Sequence, residues 1–233
     1  NEGAFFAFTP KQDQAGVNRY GTLRGLAGLP APRHLELVPY VTARNEHRHF
    51  ADDNPFRSGS DWFGSTGLDV KLGLTSNLTL DATVNPDFGQ VEVDPAEVNL
   101  TAFETFFSEK RPFFVESADV FAFGQSRTMN NYGFRKVLNS RRIGRAPRLT
   151  LGGPAYAHVN APDQTTIDVA AKLTGKTPSG WSIGVLDAVT GPEHAHFTPA
   201  GGGPEQEAVV EPLTHFFTGR LKRDLRAGNT VIG

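Results

Sequence analysis

The chain has 233 residues, a net charge of −2 and no cysteine. This composition excludes disulfide scaffolds, zinc–thiolate sites and thiol catalysis, and the balanced charge argues against a general nucleic-acid-binding protein. Hydrophobic residues make up 38% of the chain, with 18 phenylalanines, 25 glycines and 16 prolines. Many aromatic and turn residues favour a β protein with one polar face, and no run of about 18 apolar residues predicts a membrane-spanning helix.

Apolar and polar residues alternate along the first predicted strands, as in a sheet with two unlike faces. Residues 35–44 form the first run. Residues 66–74 and 78–84 form the next two runs, and the polar turn 75–77 joins them into a predicted hairpin. The apolar side of this hairpin begins with Leu68 and continues to Val84.

The alternation returns in the second half of the chain. Further strands are predicted over 167–174, 181–189 and 213–224, and a last one starts at Thr230. Residues 45–64 and 191–211 are polar and rich in glycine and proline, so we expect them to be long loops.

The predicted strands have about nine to twelve residues, and ordinary globular strands have about five or six. A transmembrane β-strand needs about 9–11 residues with apolar-out, polar-in alternation. We therefore predict an all-β fold, an antiparallel up-and-down meander that forms a transmembrane β-barrel or part of one. A large soluble sandwich or barrel is the alternative, because it also alternates.

Residues 85–163 interrupt the meander as a charged insertion. Nine acidic residues lie from Asp81 to Asp119, and none lies from Val120 to Pro162, where seven lysines and arginines occur. We favour pairing between the acidic and basic blocks, because buried charges need partners. The alternative is an anionic ligand bound by four arginines of the basic block: Arg135, Arg141, Arg142 and Arg145.

Phenylalanines cluster within this insertion. Residues 98–107 predict a short helix, and residues 110–116 predict an extended segment. Together they suggest a short helix or plug-like insertion around residues 95–120, packed inside a barrel. The aromatic side chains are expected to form core contacts.

Carboxylates of the insertion offer two kinds of candidate site. Glu104, Glu109 and Glu116 are candidates for the carboxylate pair of a glycoside hydrolase, although salt bridges explain them more simply. A calcium site is the second candidate, but the spacing of its acidic residues does not match the twelve-residue calcium-binding loop. We therefore expect no cofactor. Its oxygen ligands would be Asp87, Glu92, Asp94 and Glu97.

Two histidine pairs lie in predicted loops. His47 and His49 follow Glu46, and His194 and His196 follow Glu193. Exposed loop histidines usually bind no ligand, and this is the simpler interpretation of both pairs. The alternative is that the two pairs bind a divalent metal ion between them.

Three motifs carry a resemblance to a known family. They are the run from Gly67 to Leu100, the segment FETFFSEKRPFFVE over 103–116, and SRRIGR over 140–145. The chain resembles an uncharacterised bacterial family of outer-membrane β-barrel domains, a domain of unknown function. That domain commonly follows a module similar to family-nine carbohydrate-binding domains, and such a module does not occur in this sequence.

The resemblance implies an outer-membrane β-barrel protein, with lipid as one partner and glycans or other envelope proteins as further partners. The role would be a channel, receptor or assembly component for glycan-related cargo. The alternatives are an envelope carbohydrate-active hydrolase and a structural subunit of a membrane complex. We expect residues 1–233 to form one barrel domain within a longer chain, because about seven or eight strands are predicted and a closed barrel needs about eight or more.

Overall fold

The computed structural model describes residues 34–47, 49–50, 53–86, 108–121, 138–225 and 230–232. Strands dominate this part of the chain. They are β1 (Leu35–His47), β2 (Ser60–Thr75), β3 (Leu78–Val84), β4 (Tyr156–Asn160), β5 (Ile167–Lys176), β6 (Trp181–Thr190), β7 (Glu193–Pro199), β8 (Gln206–Glu211), β9 (Thr214–Leu225) and β10 (Thr230–Ile232). One helical turn, α1 (Pro112–Val115), and two 3₁₀ turns, Ala118–Phe121 and Ser140–Arg142, complete the regular structure.

The strands form two antiparallel sheets. The larger sheet has seven strands in the order β1-β2-β3-β5-β6-β9-β10, and the smaller has the order β4-β7-β8. The prediction of an all-β antiparallel fold is thus confirmed. Within the described residues the larger sheet is open, with β1 and β10 at its edges.

The predicted hairpin is confirmed as β2 and β3, but both predicted long loops were wrong in part. Residues 45–47 and 60–64 belong to strands, because the β1–β2 ladder continues to the pair His47 and Ser60. The expected loop 191–211 contains β7 and β8, which pair with each other and with β4. Cross-strand hydrogen bonds thus extend structure into segments whose composition is typical of loops.

All short connections of the larger sheet lie at one end, which we call the turn end. Two residues join β2 to β3 and residues 177–180 join β5 to β6 at this end, where the last residue of β9, Leu225, also pairs with the first residue of β10, Thr230. The long connections 48–59, 85–166 and 191–213 leave the opposite end, which we call the loop end.

Among the described helices, none has the length and apolar character needed to cross a bilayer.

The two faces of the larger sheet differ in chemistry. On the outer face, cross-strand pairing places Leu72, Leu80, Leu173 and Val185 in one apolar row. On the inner face, the neighbouring row runs from Lys71 through Asp81 and Lys172 to Leu186, and it is mostly polar. The period of two along each strand places these two rows on opposite faces, although Asp187 and His215 form a hydrogen-bonded pair on the outer face.

The polar inner face is the buried one. Residues 108–121 and 138–145, which we call the covering segments, pack against it. Phe114, Phe121 and Ile143 of these segments form a core with Ala170 and Leu186 of the sheet. The prediction of an extended segment over 110–116 was wrong, because Pro112 begins the helical turn α1. Proline suits the first position of a helix, where its missing N–H is not needed.

Candidate functional site

A buried lysine holds the first covering segment against the sheet. Lys172 of β5 is only 1% exposed. Its Nζ donates hydrogen bonds to the carbonyl oxygens of Phe113 at 2.6 Å and Glu116 at 2.8 Å. The same ammonium lies 3.7 Å from the Asp81 carboxylate and 4.9 Å from the centre of the Phe113 ring. A buried ammonium is tolerated because its charge and its hydrogen atoms find these partners.

A second charged contact joins the same segment to β2. The carboxylate of Glu116 accepts a hydrogen bond from Lys71, whose Nζ is 4.0 Å from Asp81. This hydrogen bond lowers the pKa of Glu116 below its ordinary value. The three strands β2, β3 and β5 therefore each contribute one charged side chain to a cluster under α1.

An arginine binds the two covering segments to each other. Arg111, 6% exposed, donates to both carboxylate oxygens of Glu109 at 2.8 and 2.7 Å. It also donates to the carbonyls of Ile143 and Ser140, each at 2.7 Å. The bidentate geometry and the stacking of Arg111 on Phe114, 4.2 Å from the ring centre, use the planar guanidinium fully.

Glu109 is ionised at this position. Burial raises its pKa, but hydrogen bonds from Arg111 and from Ser140 Oγ at 2.6 Å outweigh burial and lower the pKa below 4.5. A general acid for glycoside hydrolysis needs a raised pKa. Hydrogen bonds lower the pKa of both Glu109 and Glu116, and each carboxylate is an ion-pair partner within or beneath the covering segments.

Close packing accompanies the polar contacts. A Cβ atom on Gly184 of β6 would lie 2.6 Å from Cγ1 of Val120 and 3.2 Å from the Phe121 ring. Only glycine therefore lets the 3₁₀ turn Ala118–Phe121 approach the sheet this closely. Ser117, just before this turn, has a φ of 57°, a conformation that costs energy in a non-glycine residue.

The predicted site residues are distributed unevenly over this arrangement. Glu109 and Glu116 belong to it. Arg145 and Arg148 pair with Glu211 of β8, at 3.3 and 3.1 Å, and Glu211 lies outside the acidic block. Arg141 and Arg142 lie in the 3₁₀ turn Ser140–Arg142. Six candidates lie outside the described residues: Asp87, Glu92, Asp94, Glu97, Glu104 and Arg135.

The residues that sequence reasoning missed are Lys71, Asp81, Arg111 and Lys172. Lys172 looked like an ordinary polar residue of an alternating strand, and only the register Asp81–Lys172 makes it a buried partner. In the sequence, both residues lie on the polar side of their predicted strands. Charged residues on a sheet face that other segments cover need partners of opposite charge, and this pattern could have indicated the pair.

The histidines of the second predicted metal pair lie on β7, not in a loop. His196 Nδ1 is 2.8 Å from Glu205 and His194 Nδ1 is 3.7 Å from Glu207. Within the described ranges, no group of three or more histidine and carboxylate side chains is positioned to hold a metal ion.

These features define a class of protein: an antiparallel β protein whose sheet buries its polar face under covering segments and exposes its apolar face. The chain belongs to the family described as a domain of unknown function, DUF5916, whose model matches residues 31–231. No curated protein and no solved structure matches the chain significantly.

Proposed function

We propose that this domain is part of a bacterial outer-membrane β-barrel, with its outer face against lipid and its covering segments inside the barrel as a plug. The proposal depends on which face of the larger sheet is buried: the polar inner face is buried and the apolar outer face is exposed. Val41, Phe217 and Leu221 of the outer face are 78%, 65% and 57% exposed, whereas Thr83 and Lys172 of the inner face are 0% and 1% exposed. Water disfavours so large an apolar surface, and lipid favours it.

Strand length and connection length support the same proposal. β2 has 16 residues, β1 has 13 and β9 has 12, which exceeds the about 9–11 residues that cross a bilayer. Outer-membrane barrels combine short periplasmic turns with long extracellular loops. By this rule the turn end faces the periplasm and the loop end faces the outside.

The two tryptophans also fit a bilayer. Trp181 is 37% exposed at the turn end, and Trp62 is 75% exposed towards the loop end. Tryptophan prefers the two membrane–water interfaces, where its ring is partly in lipid and its N–H reaches water. An outer face bounded by one tryptophan at each end is the expected pattern.

We extend the proposal to a receptor or gated channel, and glycan-related cargo is what the family resemblance implies. A lumen closed by a charged, hydrogen-bonded contact can be opened when the contact is broken, without unfolding the strands. The hydrolase alternative is not favoured by a specific observation, because both Glu109 and Glu116 are ionised salt-bridge partners.

Lipid contact can be tested with two neighbouring positions of β9. The sequence contains no cysteine, so single-cysteine variants need no background substitutions. Phe217→Cys places a label on the outer face, and Thr218→Cys places the same label on the inner face. An environment-sensitive fluorophore at each position is measured in vesicles with and without lipids that carry bromine on their acyl chains.

We expect brominated lipid to quench the label at position 217 strongly and the label at position 218 weakly. Full-length protein should also remain in the outer-membrane fraction after carbonate extraction. Equal quenching at both positions, or recovery of the protein in the soluble fraction without detergent, contradicts the proposal.

A further inference from the structure

A cavity at the loop end is not explained by the plug. Its volume is about 400 Å³, and it is open to solvent. Three separate parts of the chain form its wall: residues 56–63, residues 160–162 and the β7 histidines His194 and His196. A volume of this size is within the range of small-molecule sites.

Arg57 cross-links one side of the cavity. Its Nε donates to Asn160 Oδ1 at 3.0 Å, which joins the β1–β2 connection to β4 of the smaller sheet. Its guanidinium lies 5.2 Å from the centre of the Phe63 ring. Because these contacts fix the wall before any ligand arrives, binding would cost little ordering of side chains.

The charges around the cavity are balanced. Arg57 Nη1 lies 3.5 Å from Asp61 and 3.9 Å from Glu46. His196 and His194 each face a glutamate of the β7–β8 hairpin. A site for phosphate or another anion would present uncompensated positive charge. The wall instead suits a neutral ligand.

The wall combines aromatic surfaces with directional polar groups. Phe56 lies with its ring centre 6.5 Å from that of His196, and the exposed Trp62 also borders the cavity. The polar groups nearby include an amide, a carboxylate and two imidazoles, which donate and accept hydrogen bonds. Hydroxyl groups need such mixed partners, and the C–H faces of sugar rings pack on aromatic rings.

We propose that this cavity binds a neutral saccharide chain at the loop end of the protein. The inference deepens the proposed function, because it names the ligand class and the site of the receptor. It depends on that proposal only for the statement that the cavity opens outside the membrane.

The binding test uses the two tryptophans of the chain. In the 233-residue chain, Trp181→Phe leaves Trp62, which borders the cavity, as the one indole. Trp62→Phe leaves Trp181, which lies at the far end of β6. Both variants of this 233-residue chain are purified in detergent and titrated with maltohexaose, cellohexaose, xylohexaose and mannohexaose, and separately with inorganic phosphate and polygalacturonate as anionic probes.

We expect at least one neutral oligosaccharide to change the Trp62 emission saturably and to leave the Trp181 emission unchanged. Phe56→Ala should weaken this binding about tenfold, because it removes one aromatic contact. Phe56→Tyr keeps the ring and should retain binding. Phe217→Ala removes an aromatic ring from the outer face and should not alter binding, which controls for general loss of structure.

The absence of a saturable Trp62 response to all four oligosaccharides overturns the inference. A response to the anionic probes alone also overturns it, because the wall would then carry free positive charge. The two experiments can fail separately. Saccharide binding without lipid quenching would refute only the barrel proposal, and lipid quenching without saccharide binding would refute only the saccharide site.

Discussion

Lys172→Met tests whether one buried ammonium holds the covering segment 108–121 against the sheet. Methionine keeps most of the length and apolar volume of lysine but removes the charge and the donor hydrogens. The carbonyls of Phe113 and Glu116 then lose their donor, and Asp81, 7% exposed, loses a charged neighbour. Removing one partner of a buried charged contact costs about 3–5 kcal/mol. We expect the free energy that holds α1 against the sheet to fall by this amount.

Hydrogen exchange of the full-length protein measures this free energy locally. The amides of Val115 and Glu116 are protected by hydrogen bonds to the carbonyls of Arg111 and Pro112, each at 3.0 Å. A loss of about 3 kcal/mol predicts exchange of these amides faster by a factor on the order of 100. The amides of β5 and β6 should remain protected, because the strand ladder does not depend on the plug.

Lys176→Met is the matched control. Lys176 lies on the same strand and the same face, but its side chain is 53% exposed and pairs with Asp224 near the turn end. Exposed ion pairs contribute about 1 kcal/mol or less. Residues 112–121 should therefore exchange as in the unmodified protein. If Lys172→Met leaves the exchange of this segment unchanged, or if both variants accelerate it equally, the reasoning is refuted.

Two further predictions concern the same interface. Gly184→Ala should displace the 3₁₀ turn at Val120 and raise the hydrogen-exchange rate of its amides. The control is Gly219→Ala on the outer face, where a Cβ atom meets only the Phe217 ring at 3.7 Å and should have little effect. Comparable exchange rates in the two variants would contradict the packing argument. The pKa of Glu109 in the folded protein is below the ordinary value of 4.5, so ionised Glu109 stabilises the fold. This stabilisation is complete above about pH 4.5 and is lost as the pH falls through the pKa of the folded state. Denaturation from about pH 6 to pH 3 should show a shallower acid decline for Glu109→Gln, and parallel declines would disprove this role.

Much of the sheet could be predicted from the sequence because its signals are local. Alternation with a period of two and polar turns located β2, β3, β5, β6 and β9, and the same alternation defined the two faces of each strand. Residues 193–199 and 206–211 did not show a comparable signal. Their strands depend on mutual pairing and on β4, so local composition predicted loops.

The sequence by itself determined the strands of the larger sheet, their two chemically different faces and the presence of a Phe-rich insertion. Only the tertiary structure decided which face is covered, because that depends on contacts between distant residues, such as Lys172 with the carbonyl of Phe113, 59 residues away. The register of β3 with β5 brings Asp81 next to Lys172, and the covering segments then seal both from water. The polar face of the larger sheet is buried because its charges are compensated there, and the apolar face is left exposed.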